Sequence, residues 1–247
     1  MPQVFLLHGL GADHRAFQRF ERFLPEAWDI HAIDLLGHGD APKPEHGYAL
    51  EDHADYVAEV IAEVDGLATA QEVPAGPPVV VGHSYGAATA VVLAANYPNL
   101  VRSLVLLDPV LRLDAPVNQS AGNATGQMMR ARREGTLDEV VPRLFAREGS
   151  ALRSWIIDTW QQMAVGVIDE LDGSWPDYAA GVTCPVTIVH GDRELGGSGT
   201  STDGLFPQAK LVRVAGAGHY LHATHVREVA AAVIEAVAAT TSHEATT

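Results

Sequence analysis

The chain has 247 residues, 47% of them hydrophobic, which suits one sizeable domain and excludes a disordered chain. Its formal net charge is −15, from 16 basic and 31 acidic residues, so clustered cations for nucleic acid are not expected and anionic membranes are repelled at long range. The single cysteine, Cys184, excludes an internal disulfide and a thiolate metal cluster, and reads as a small buried thiol.

Met1-Pro2-Gln3 leads straight into the apolar residues 4–7, without the basic and long apolar regions of a signal peptide. No apolar run reaches the roughly 18 residues that span a bilayer, and a cytoplasmic location is expected. Residues 4–7 form the first predicted strand, and His8-Gly9-Leu10-Gly11 the turn after it. Asp13 is placed to cap a helix that turns Phe17, Phe20 and Leu24 to one side. Residues 30–33 give a second strand. From Glu51 on, Val57, Val60, Ile61 and Val64 recur at helical spacing, and 65–78 is a Gly-, Ala- and Pro-rich connector. Residues 79–81 are a third strand, and 85–97 a helix of small apolar residues that Pro98 ends.

A fourth strand, Ser103–Leu107, precedes a long stretch with no buried strand, in which 128–133, 137–147 and 152–163 look helical. Strands then resume at 186–189 and 211–214, and a helix over 225–239 closes the chain before a polar tail at 240–247. The strands are apolar on consecutive residues, as expected when both faces of a parallel sheet are covered. Strand alternating with helix predicts the α/β class, with a mostly parallel central sheet of about six strands flanked by helices. Residues 1–109 and 182–247 are assigned to this core, and 110–181 to a helical cap inserted between strands.

Gly82-His83-Ser84-Tyr85-Gly86 sits between a strand and a helix, the context in which G-x-S-x-G lifts a serine hydroxyl above a sheet edge. Ser84 is therefore the expected nucleophile. A serine needs a base, and of 12 histidines His219 stands out, in Gly216-Ala217-Gly218-His219 after the final strand. His222 and His225 follow at three-residue spacing, but without the acidic partner of H-E-x-x-H, so no metal and no cofactor are expected. The backbone amides of Leu10 and Tyr85 are the expected oxyanion donors. Three carboxylates lie at strand ends and are candidates to orient the base: Asp108, Asp192 and Glu194.

His8-Gly9, Asp34-x-x-Gly37-x-Gly39, the Gly82–Gly86 motif, His190-Gly191-Asp192-Arg193-Glu194 and Gly218-His219 together resemble the α/β-hydrolase superfamily across nearly the whole chain. The likeness is to small capped esterases and to the lactonase, haloperoxidase-like and C–C hydrolase branches. In that family the acid stands three residues after the glycine that ends the penultimate strand. That place holds Glu194, which the resemblance makes first choice over Asp192 and Asp108; Asp108 matches a position that some branches use. The family's antiparallel first strands are missing here, and the glycine-rich 196–201 reads as a mobile loop near the site.

The activity implied is acyl transfer to water through Ser84, His219 and an acid, on a small, mostly apolar ester or lactone. Cap aromatics Phe145, Trp155, Trp160, Trp175 and Tyr178, with Met128, Met129 and Met163, are candidates either for pocket walls or for the cap's own packing. The expected partner is a small-molecule acyl substrate, not nucleic acid or membrane. A C–C bond hydrolase or cofactor-independent lyase is the rival on the same triad, with His83 and His14 as candidate supporting groups. A noncatalytic binding protein on the same fold is the other rival.

Overall fold

The structure is a computed structural model that describes residues 1–69, 76–111, 124–146, 148–171, 178–192, 202 and 204–244. Its six strands are β1 (Gln3–Leu7), β2 (Asp29–Ile33), β3 (Val79–His83), β4 (Ser103–Leu107), β5 (Val186–His190) and β6 (Lys210–Arg213). They form one sheet in the order β2-β1-β3-β4-β5-β6, and each neighbouring pair is parallel. The helices are α1 (Leu50–Thr69), α2 (Tyr85–Asn96), α3 (Ala124–Glu134), α4 (Leu137–Leu144), α5 (Ser150–Gln162), α6 (Val165–Asp169), α7 (Leu221–Thr224) and α8 (Val226–Glu244).

Alternate residues of each strand face opposite sides, and both sides are apolar. Phe5, Leu7, Val80, Leu104, Leu106 and Ile188 pack with α1 and α2 on one face. Val4, Leu6, Val79, Val81, Val105, Leu107 and Val189 pack on the other, against Val229, Val233 and Val237 of α8 and against Phe17 and Phe20. Because all the strands are parallel, their C-terminal ends share one edge, where the loops that carry chemistry gather.

Three sequence expectations need revision. After Asp13 there is no α-helix but two short 3-10 turns, His14–Phe17 and Glu21–Phe23. Asp13 does cap the first, its side chain accepting from the Arg15 amide at 3.0 Å. Phe17 ends the first turn and Phe20 immediately precedes the second, and the two rings lie on one side with centroids 6.0 Å apart. The final strand begins and ends one residue earlier than its apolar run. It is the sheet edge, so Leu211 is exposed while Val214, just beyond it, turns into the core. Helices α6 and α7 were not anticipated, being too short to show a periodicity.

Helices α3 to α6 lie between β4 and β5 in sequence, within the segment read as a cap. Gly135 (φ 72°) ends α3 in the left-handed conformation that a side chain would strain. This helical layer is tied to the loops that follow β1 and β2. The Arg15 guanidinium bridges Asp13 (2.6 Å) and Asp158 of α5 (2.8 Å). The Ala164 amide donates to Gly37 O at 2.8 Å, and the Glu170 carboxylate accepts from the amides of Gly47 (3.1 Å) and Tyr48 (2.8 Å).

Candidate active site

Ser84 stands between β3 and α2 with φ 53° and ψ −111°, a conformation that costs a non-glycine residue about 1–3 kcal/mol. The surrounding backbone holds it there: its amide donates to Leu107 O at 3.1 Å, and its carbonyl accepts from the Ala87 amide at 3.1 Å. The flanking glycines are needed for space. A Cβ on Gly82 would fall 2.4 Å from Gly86 O, and one on Gly86 would fall 2.3 Å from Leu7 O. The hydroxyl of Ser84 makes no capping bond to its own helix and is left to face the loop after β6.

His219 arrives from that loop. Its Nε2 lies 3.0 Å from Ser84 Oγ, and its Nδ1 lies 2.6 Å from Asp108 Oδ2. A carboxylate only accepts, so Nδ1 carries the hydrogen and the neutral ring offers Nε2 as acceptor for the serine proton. Asp108 is fully buried, with φ 40°, just past the end of β4. Its other oxygen accepts from the Gly191 amide at 3.2 Å, so both oxygens of this buried carboxylate are hydrogen-bonded.

The loop after β1 approaches from the other side. His8 accepts from the Leu35 amide at Nε2 (2.9 Å) and donates from Nδ1 to Gly9 O (2.8 Å). His38 does the same, accepting from the Gly11 amide (3.1 Å) and donating to Leu36 O (3.0 Å). Burial lowers the pKa of both rings, and neutral rings are what this donor-acceptor pattern requires. The amides of Gly11 and Ala12 are thus engaged, the latter with Gly9 O, whereas no described residue accepts from the Leu10 amide. Asp34 steadies the neighbouring loop through the amides of His14 (2.6 Å) and Asp40 (2.8 Å). Burial would raise its pKa, but those bonds and the His14 ring outweigh it and hold the carboxyl below its ordinary value.

A cavity of about 910 Å³ opens over Ser84 and His219. Leu10 and Gly9 form its floor, and Met128, Leu144, Phe145, Trp155, Ile156 and Trp160 its apolar walls. Among the described residues that line it there is no lysine or arginine. Trp160 packs so closely on Gly11 (φ 68°) that a Cβ there would come within 2.2 Å of the indole.

The sequence matches the alpha/beta hydrolase family over residues 4–232. The chain belongs to the alpha/beta hydrolase family. Within this family it is 30% identical over 249 residues to a 2-(acetamidomethylene)succinate hydrolase of Mesorhizobium japonicum, covering 90% of this chain and 82% of that one. It is 35% identical over 136 residues to a pimeloyl-[acyl-carrier protein] methyl ester esterase of Neisseria meningitidis, there spanning 53% of this chain and 46% of the relative. An esterase of Thermogutta terrifontis superposes with a TM-score of 0.75 at 22% identity, covering 97% of this chain and 90% of that one. The relatives carry the names of hydrolases, and an alpha/beta hydrolase fold is what the sheet shows.

The structure brings Ser84, His219, Leu10, Phe145, Trp155 and Trp160 to one cavity. Of the three candidate acids it is Asp108 that takes the Nδ1–H of His219; Glu194, which the resemblance made first choice, lies outside the described residues, as do Trp175 and the loop 196–201. Asp192 holds backbone instead, accepting from the Gly216 amide at 2.6 Å. Tyr178 donates its hydroxyl to Glu51 of α1, and Met129 and Met163 are buried in the core, so these side chains pack and do not line the cavity. His14 is half exposed beside Asp34. His222 lines the cavity, with burial lowering its pKa to about 3. Among the described residues no group of three His, Cys, Asp or Glu side chains is placed to hold a metal ion, and no helix is long and apolar enough to cross a membrane. Cys184 is partly buried, and burial raises its pKa to about 11.

Proposed function

We propose that this chain is a serine hydrolase that cleaves a small, mostly apolar and uncharged carboxylic ester or lactone. The observation that carries the reading is the chain of contacts from Ser84 Oγ through His219 to the buried Asp108 carboxylate, at 3.0 and 2.6 Å. His219 takes the Ser84 proton as the oxygen attacks the substrate carbonyl. Asp108 keeps the ring in the correct tautomer and favours the imidazolium. The amide of Leu10 and that of Tyr85, at the start of α2, receive the oxyanion, helped by the helix N-terminus. The imidazolium then protonates the leaving alcohol, leaving an acyl-enzyme. A water gives its proton to His219 and attacks the acyl carbon, and the acid departs as Ser84 recovers its hydrogen.

The cavity argues for the uncharged substrate. A carboxylate desolvated among Phe145, Trp155 and Trp160 needs a cation or several donors, and no described lining residue is lysine or arginine. The rival reading draws on the Mesorhizobium relative, whose name specifies a succinate, a dicarboxylate. The decisive comparison is p-nitrophenyl butyrate against the p-nitrophenyl monoester of succinic acid. We expect the butyrate to be cleaved, with kcat/KM at least about tenfold above the succinate ester. Ser84→Ala and His219→Ala each lose on the order of 10⁴-fold in kcat. Preference for the succinate ester would favour the rival, and a Ser84→Ala protein of undiminished rate would refute both.

A further inference from the structure

His219 sits in a loop whose backbone is permissive, with Gly216 (φ 79°) and Gly218 just before it. Two contacts fix the loop upstream: the Asp192 amide donates to Ala217 O at 2.6 Å, and the Asp192 carboxylate accepts from the Gly216 amide at 2.6 Å. Both lie on the far side of Gly218 from the imidazole. The contact at His219 itself comes from the residue before the nucleophile: His83 Nε2 lies 2.9 Å from His219 O. A carbonyl oxygen only accepts, so Nε2 bears the hydrogen and Nδ1 a lone pair.

The surroundings of His83 fit a fixed donor. Its ring is 3% exposed, and its centroid lies 4.8 Å from that of His219, 5.8 Å from Tyr220 and 4.3 Å from His222. On the other side, a Cβ on Gly9 would fall 3.0 Å from Nδ1, so the ring also abuts the loop that carries Leu10. Being peptide-bonded to Ser84, at the end of β3, it ties nucleophile and base to one rigid backbone. Burial holds its pKa well below the ordinary value. Neutrality matters here because a cation beside the His219 ring would oppose the imidazolium that forms when Ser84 is deprotonated.

We propose that His83 is a positioning residue: its Nε2–H grips the carbonyl of His219 and so sets the imidazole against Ser84 and Asp108, a role that rests on the serine-hydrolase reading above. The contact fixes the backbone of the base after two permissive glycines, and small misplacements of a base are costly to rate. His83 lines the cavity beside Ser84, but its hydrogen bond goes to the backbone of His219 and not to a reacting atom. Its loss therefore slows the chemical step more than it weakens substrate binding.

The test has two arms. Nitrogen-15 NMR of the imidazoles in the wild-type protein reads the tautomer directly: Nε2–H and neutral from pH 5 to 9 is expected. An Nδ1–H tautomer would overturn the proposal, since Nε2 would then have no hydrogen to give. In the second arm, His83→Phe keeps a ring of similar size without the donor, and His83→Gln keeps an N–H. We expect His83→Phe to lower kcat for a neutral ester about tenfold or more with KM within about threefold, and His83→Gln to recover most of the loss. A His83→Phe protein with wild-type kcat, or a folded His83→Gln protein as slow as His83→Phe, would contradict the proposal. If His83→Phe fails to fold, the tautomer and the rate of His83→Gln against wild type decide. A wild-type protein inert to serine-directed reagents would defeat the hydrolase reading instead, and the tautomer would still report whether His83 holds His219.

Discussion

Asp108 and Glu194 are separated by what a side chain must do and not by what it is. Both are carboxylates read at the ends of predicted strands, and the family resemblance favours Glu194. What places Asp108 is the pairing of β4 with β5 and a backbone φ of 40° that turns its carboxyl toward the loop after β6. Neither is visible in a single chain, although a place at a predicted strand end, matching a position that some branches of the family use, was enough to make Asp108 a candidate. Ser84 was legible because its motif is a packing requirement, and His219 because it follows the final strand. Asp108→Asn, which leaves the hydrogen bond but favours the wrong tautomer, is expected to lower kcat by about 10³-fold or more. Glu194→Gln should stay within about threefold of wild type. Steady-state kinetics on one neutral ester read both, and the reverse order would return the acid to Glu194. Asp192→Asn removes charge from a contact that fixes the loop backbone, and its effect should fall between the two.

At the scale of elements, the strand–turn–helix unit that carries Ser84 is packed backbone against backbone. Gly86 passes so close to the carbonyls of Leu7 and His8 that a Cβ would sit 2.3 and 2.4 Å from them. Backbone atoms cannot move aside as a flexible side chain can. Gly86→Ala should therefore cost about 3 kcal/mol or more of stability, read as the urea midpoint, or fail to fold. Gly66→Ala in α1 is the control: nothing lies within 4 Å of a Cβ there, and removing a helical glycine should gain up to about 1 kcal/mol. The same contrast explains which elements were legible. Strands buried on both faces announce themselves as apolar runs, and α1 as a stripe at helical spacing. The segment after Asp13 carries the same apolar residues as a helix would, but two short 3-10 turns, with Phe17 ending the first and Phe20 preceding the second, already set those rings side by side.

Across the whole molecule, burial of histidines couples stability to pH. His8, His38, His53, His83 and His222 are all buried, and burial lowers the pKa of each, to about 3 for His53 and His222. The unfolded chain titrates near 6.5, so between that pH and the folded values the unfolded state binds more protons. Stability is then full above about pH 6.5 and is lost as pH falls toward 3. For a ring lowered to about 3, the loss between pH 7 and pH 5 comes to about 2 kcal/mol. Urea midpoints should drop steeply over that range, and His222→Phe, which cannot charge, should flatten the slope. A midpoint independent of pH from 7 to 5 would contradict the buried, neutral state of these rings. The composition gave a count of histidines but no hint that so many are interior, because burial is a property of the assembled sheet edge and its helical cover.

The central claim is that Ser84 is activated by His219. Intact-mass analysis after reaction with a fluorophosphonate tests it most directly, on the wild-type protein beside Ser84→Ala. One adduct on the wild type and none on Ser84→Ala is the predicted result. A folded wild-type protein that takes up no reagent, or a Ser84→Ala protein that labels equally well, would contradict the account.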